Sequence, residues 1–143
     1  MLWDDVFPGS WRLVELATEF EGDIGIACSF AVSGDEHDIG SDGSLTFYRV
    51  AQEAVRNAVR HASAHRIRIV LFADEQGSRL EIHDDGRGFD LQVARRDRVG
   101  IGLLSMGERM SLANGLLEIN TAPGSGTTIV ASVPLSAAHD ASY

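Results

Sequence analysis

The sequence predicts a two-layer α/β sandwich with a mixed, mostly antiparallel sheet. Three observations carry that expectation. Residues 45–62 show unbroken helical periodicity without Gly or Pro, and two pairs of β-rich segments are each joined by a short Gly-containing turn. The order helix, strand, helix, two strands, loop, helix, two strands lets the helices cover one sheet face and leaves the other to solvent or a partner. At 143 residues the chain is one ordinary domain. Its core is expected over about residues 11–135, with a flexible tail over 136–143.

Each element has its own signal. Residues 11–21 put Leu13, Leu16, Ala17 and Phe20 at helical spacing, with Glu15, Glu19 and Glu21 on the other side. Residues 24–32 alternate loosely as a strand, and residues 33–44 are polar, acidic and glycine-rich, as in a loop. Within 45–62, Phe47, Val50, Ala51, Ala54, Val55, Ala58 and Val59 form a broad apolar stripe. Residues 67–73 and 79–84 read as strands around a DEQGS hairpin turn. Residues 85–99 read as an unstructured segment, with the stretch 89–99 as a lid. Residues 100–113 return to helix, which Asn114-Gly115 ends as a left-handed cap; 116–121 and 127–134 make a last strand pair around PGSG.

Composition removes whole classes of function. All 12 basic residues are arginines, so no lysine is available for a Walker-type phosphate loop, a Schiff base or general base catalysis. The net charge is −9, and ten of the 21 carboxylates fall within residues 1–42 against Arg12 alone. That acidity argues against a nucleic-acid partner, which needs cations spread over a face. The longest apolar run, residues 69–73, is far too short for a membrane span, and no secretory signal opens the chain. A lone cysteine, Cys28, excludes an intramolecular disulfide framework, and a cytoplasmic location is expected.

Four polar constellations remain. Glu53, Asn57 and His61 fall at i, i+4 and i+8 on one helix side with Arg60 adjacent. Such a row can be a plain solvated face. It also combines an amide oxygen able to bind a hard cation with groups that suit a Mg²⁺-polyphosphate. In HDDGRGFD, residues 83–90, Asp84 ends a strand as a fixed acceptor for an exocyclic amine, and Gly86 and Gly88 allow close backbone approach. Gly100, Ile101, Gly102 and Leu103 form a glycine-rich helix start suited to an anion. In GSGTT, residues 124–128, Thr127 offers a hydroxyl where a strand begins.

Taken in order, ExxxN-xx-RH, DxGxG, GxGL and GxGT over residues 53–127 make the chain resemble the ATP-binding catalytic domain of bacterial sensor histidine kinases. That domain belongs to the GHKL superfamily, with gyrase-type topoisomerases, mismatch-repair ATPases and a heat-shock chaperone. The phrases FYRVAQEAVRNAVRHA and GIGLLSMGERM look most like the subfamily that signals to LuxR-type response regulators. The resemblance implies a Bergerat fold with ATP between the long helix and the lid. It implies that Asn57 ligates Mg²⁺, that Arg60 and His61 meet the phosphates, and that Asp84 holds the adenine amine. Gly86, Gly88, Gly100 and Gly102 would supply backbone walls, Ile101 and Leu103 the phosphate end, and Thr127 the base side. Glu53 would orient the metal's water shell or the incoming histidine.

The chain departs from the family's pattern in three places. A helical phosphoacceptor His followed by an acidic residue is missing, since His37-Asp38 falls in a loop and His83-Asp84 in the adenine motif. The acceptor is therefore expected on a separate dimerisation domain, and this domain alone is expected to be a monomer. A phenylalanine-rich box is also missing, and Arg60 stands where a lysine is frequent. Two other readings stay open: a GHKL serine kinase of anti-sigma-factor type or small ATPase, and a nucleotide-binding pseudo-kinase module.

Overall fold

The computed structural model describes residues 26–34, 41–74, 76–94 and 98–134. Its elements run β1 (Ala27–Gly34), α1 (Ser41–Arg60), β2 (Arg66–Asp74), β3 (Gly77–Asp84), α2 (Leu91–Ala94), α3 (Arg98–Leu112), β4 (Leu116–Thr121) and β5 (Thr127–Pro134). The five strands form one sheet in the order β1-β2-β3-β5-β4. Only β1 and β2 pair in parallel, and α1 supplies the crossover that a parallel pair requires.

Strand alternation sets the sheet's two faces. In β2, Ile67, Ile69, Leu71 and Ala73 are buried while Arg66 and Arg68 are exposed. Register carries this face across the sheet, so that Phe30, Ile69, Ile82, Ile129 and Ile119 stand side by side. The rung two residues before Ile69 aligns Cys28, Ile67, Asp84, Thr127 and Thr121, and there the apolar grid ends in polar groups. Helices α1 and α3 share the core with this face through Phe47, Val50, Val55, Met106 and Met110. Each fully buried large side chain of this kind contributes about 1.5–3 kcal/mol.

The mixed, mostly antiparallel sheet matches the sequence-based expectation, with the strands of the second hairpin at their expected bounds and those of the first longer by up to two residues at an end. Strand β1 starts three residues after position 24 and runs on to Gly34, whose φ of 91° ends it. Helix α1 begins at Ser41, inside the segment read as loop, so its amphipathic stripe outweighs the roughly 1 kcal/mol that Gly43 costs in a helix. It ends at Arg60, and Ser63 turns the chain with a φ of 51°.

The segment 85–99 is not wholly unstructured. Asp90 Oδ1 accepts the Gln92 N–H at 2.9 Å, capping the single turn of α2, and α3 already starts at Arg98. The helix read at 11–21, the tail 136–143 and the centre of the lid, 95–97, lie outside the described residues. No described helix is long and apolar enough to cross a membrane.

The end of α3 follows its sequence signal. Asn114 has a φ of 59°, the Gly115 N–H donates to the Met110 carbonyl at 2.7 Å, and the Asn114 N–H donates to the Ser111 carbonyl at 3.0 Å. These are the two bonds of a Schellman cap with asparagine in the left-handed position. Asn114→Ala is expected to lower stability by about 1 kcal/mol in urea unfolding, and Asn114→Gly to stay within a few tenths.

Candidate functional site

The segment after β3 is stitched to the C-terminal end of α1. Asp84 Oδ1 accepts the Gly86 N–H at 2.8 Å. Asp85 Oδ1 accepts the N–H groups of His65 and Arg66, each at 2.8 Å, and so ties the strand end to the turn before β2. The Arg87 N–H donates to the Ala62 carbonyl at 2.9 Å and its Nε–H to the His61 carbonyl at 3.0 Å. Two carbonyls that a helix end leaves unpaired are thereby satisfied.

Gly86 is required by this docking, because a Cβ there would meet the Ala62 carbonyl oxygen at 2.6 Å and its Cβ at 2.7 Å. Gly88 is required by a turn: its φ is 64°, and a side chain would strike the Ala122 carbonyl oxygen.

On α1, Asn57 and His61 face a cleft lined also by Ala54, Ala58, Ala62, Ile82, Asp84, Phe89, Leu103, Thr127 and Ile129. The cleft thus joins Asn57 at one side to Asp84 and Thr127 at the other. Asn57 is only 8% exposed, and its side-chain amide has no hydrogen-bond partner among the described residues. A buried amide without a partner is costly, and a ligand in the cleft would remove that cost.

The remaining candidates divide. Glu53 lies one helical turn before Asn57, its Oε2 3.2 Å from Arg56 Nη1 and its other oxygen against Gly102 of α3, where a Cβ would make the flexible carboxylate move aside. Gly100 and Gly102 lie inside α3 rather than ahead of it, since the helix begins two residues before Gly100. Leu103 points into the cleft, whereas Ile101 is 68% exposed and Arg60 is exposed outside the lining.

Burial pushes the Asp84 carboxyl above the usual carboxylate range, against the Gly86 and Thr127 backbone bonds that pull it down; the nearby Asp85 charge adds to the rise. Asp85, accepting backbone N–H groups, is held below that range. Among the described residues no group of three or more His, Cys, Asp or Glu could enclose a metal. The unpartnered oxygen of Asn57 fits Mg²⁺ all the same. A side-chain amide oxygen is a hard ligand of the type such a cation accepts, with waters completing its shell.

Sequence reasoning missed Arg87, Phe89 and Thr121 as contributors. It assigned Ala54 and Ala58 to the core stripe alone, although with Ala62 they recur every four residues and keep one helix face small enough to line a cleft.

The family described as histidine kinase-, DNA gyrase B-, and HSP90-like ATPase matches residues 42–137. The chain is 37% identical over 126 residues to the sensor histidine kinase MctS of Rhizobium johnstonii, covering 87% of this chain and 27% of that protein. It is 33% identical over 139 residues to the signal transduction histidine-protein kinase/phosphatase DegS of Bacillus subtilis, covering 95% of this chain and 36% of that protein. The chain thus spans about a quarter to a third of the length of these relatives.

Two solved structures share the fold. The histidine kinase domain of the Erythrobacter litoralis EL346 blue-light activated histidine kinase superposes with a TM-score of 0.70 at 19% identity, covering 90% of this chain and 65% of that one. The ATP binding domain of PrrB from Mycobacterium tuberculosis gives 0.65 at 20% identity, covering 86% of this chain and 90% of that one.

The raised Asp84 carboxyl has a stability consequence. The charged form is disfavoured in the fold, so stability is lost as pH rises from 3.8 through the higher folded value. Asp84→Asn keeps an acceptor for the Gly86 N–H and removes that loss. The variant is expected to melt at or above the parent's temperature at neutral pH, with the difference vanishing as pH falls toward 3.8. A variant that melts well below the parent at neutral pH would show that the charge supports the fold.

Proposed function

Because this chain belongs to the family of histidine kinase-, DNA gyrase B-, and HSP90-like ATPases, we propose that it is the ATP-binding catalytic domain of a two-component sensor histidine kinase. It binds Mg²⁺-ATP and presents the γ-phosphate to a histidine on a separate dimerisation domain. The observation that carries this reading is a single cleft. It holds the unpartnered amide of Asn57 on α1 and the carboxylate of Asp84 at the end of β3. The kinship to MctS and DegS supports the same reading. Their subfamily resemblance supports a LuxR-type response regulator as the final phosphoryl recipient.

In this mechanism the chain's residues hold and orient. Asp84 accepts a hydrogen bond from the exocyclic amine of adenine, at a strand end that Gly86 and Arg87 fix against α1. Phe89, Ile82, Ile129 and the three cleft alanines surround the base with apolar atoms. Asn57 would hold Mg²⁺, which when bound would supply neutralisation of the phosphate charge. His61 and Arg60, at the C-terminal end of α1, are in reach of the polyphosphate, and Glu53, one turn back, orients the metal's water shell or the acceptor imidazole. Phosphoryl transfer requires little more, because positioning and charge neutralisation supply most of its acceleration. The enclosed part of the cleft, about 20 Å³, takes a water and not a purine. Nucleotide binding therefore requires the cleft to widen.

Three measurements test the reading. Asp84→Asn is expected to weaken ATP binding by about 10- to 100-fold in calorimetry, the loss of one charge-assisted hydrogen bond; unchanged affinity would remove Asp84 from the base site. Asn57→Ala is expected to bind ATP equally well with and without Mg²⁺, and an undiminished response to the ion would take Asn57 out of its role. Mixed with Mg²⁺-ATP and a histidine-bearing dimerisation domain, the chain is expected to produce acid-labile, alkali-stable phosphate. Acid-stable phosphoserine on a partner would instead mark a serine kinase.

A further inference from the structure

Thr121 and Thr127 pair across the first rung of the β4/β5 ladder, and their hydroxyl oxygens are 2.9 Å apart. Thr121 Oγ1 accepts the Phe89 N–H at 3.1 Å and lies 3.3 Å from the Gly126 carbonyl oxygen, to which it can donate. Each hydroxyl has a single proton.

Gly126 is buried, and no other donor reaches its carbonyl among the described residues. One assignment satisfies every member of this group. The Thr121 proton goes to Gly126, and the Thr127 proton goes to Thr121. The reverse direction leaves a buried carbonyl unpaired and incurs its desolvation.

The consequence falls on the cleft. Thr127 is 7% exposed and lines the cleft beside Asp84, its neighbour across the β3/β5 ladder. With its proton committed to Thr121, the Thr127 oxygen turns only lone pairs toward a ligand. An ionised Asp84 likewise offers only acceptors. This stretch of wall therefore meets donors favourably and meets a carbonyl oxygen with repulsion.

We propose that Thr121 is a positioning residue that sets the polarity of the Thr127 hydroxyl, and so makes the cleft select a 6-amino purine over a 6-oxo purine. The inference rests on the nucleotide-binding reading above and adds the source of its base specificity. Without the Thr121 oxygen, the Thr127 hydroxyl turns and donates to a 6-oxo group, and discrimination falls. The effect on base choice passes through Thr127, whereas the lost acceptor of the Phe89 N–H bears on both nucleotides alike.

The test is a calorimetric titration of the full chain with the Mg²⁺ complexes of ATP and inosine triphosphate. Thr121→Val is expected to reduce the ATP-to-inosine preference by about tenfold, the worth of one hydrogen bond to the 6-oxo group. Thr121→Ser, which keeps the hydroxyl, is expected to retain the preference. The double variant Thr121→Val, Thr127→Val is expected to regain it, because the freed donor is gone. Should Thr121→Val fail to fold, Thr121→Cys, a weak acceptor and donor, serves for the same comparison.

Loss of both affinities by the same factor in Thr121→Val, or a double variant no more selective than that single one, would overturn the proposal. So would a parent protein that binds both nucleotides equally. A parent that binds neither would overturn the nucleotide reading and this inference together.

Discussion

The docking of the segment after β3 onto the C-terminal end of α1 is the constraint on which the rest depends. Helix α1 carries Asn57 and His61, and β3 carries Asp84, so the distance between the two ends of the cleft is set by how these elements meet. They meet through backbone. The Arg87 N–H and guanidinium close the carbonyls of Ala62 and His61, and Gly86 lies so close to Ala62 that no larger residue fits without displacement. Because backbone bonds and a missing Cβ fix the approach, it has little freedom to relax.

Two groups in the cleft are poorly served by the protein alone. The carboxyl of Asp84 is raised by burial, and the amide of Asn57 is almost fully enclosed with no partner among the described residues. Stability by itself would favour a neutral or apolar side chain at either place. Both belong to the cleft, and in the nucleotide-binding function proposed above a ligand donor would meet one and a cation the other. Asp85, its chain neighbour, shows the contrast: its carboxylate is consumed by two backbone N–H groups and serves the fold.

Local signals were legible in the sequence where chemistry and backbone agree within a few residues. The Asn114-Gly115 cap, the apolar stripe of α1 and the hairpin strands are of this kind, as is Asp84 at a strand end ahead of a glycine. The start of α1 was not legible, because Gly43 and the acidic stretch read as a loop while the stabilisation of the first turn comes from packing further along the helix. Helix α2 was missed although Asp90 carried a capping signal, since a single turn has no periodicity to detect. Arg87 and Thr121 were invisible for a different reason. Their partners, His61 and Ala62 for one and Phe89, Gly126 and Thr127 for the other, are brought to them by the fold.

Glycines and alanines in the site point to one economy of design. Gly86 leaves room for Ala62, and Ala54, Ala58 and Ala62 keep this wall low beside the cleft. Small residues are weak contributors to a core, so their concentration here forgoes apolar burial that larger side chains would provide. What it yields is proximity. Two helices and a strand end approach closely enough for the few polar atoms of the cleft to converge on one ligand. The chain has no lysine for a Walker-type loop, and the cleft instead brings a neutral amide, Asn57, and an imidazole, His61, to one wall. A site built on several weak contacts is effective only if each is held in place, which returns the burden to the backbone stitching around Gly86 and Arg87.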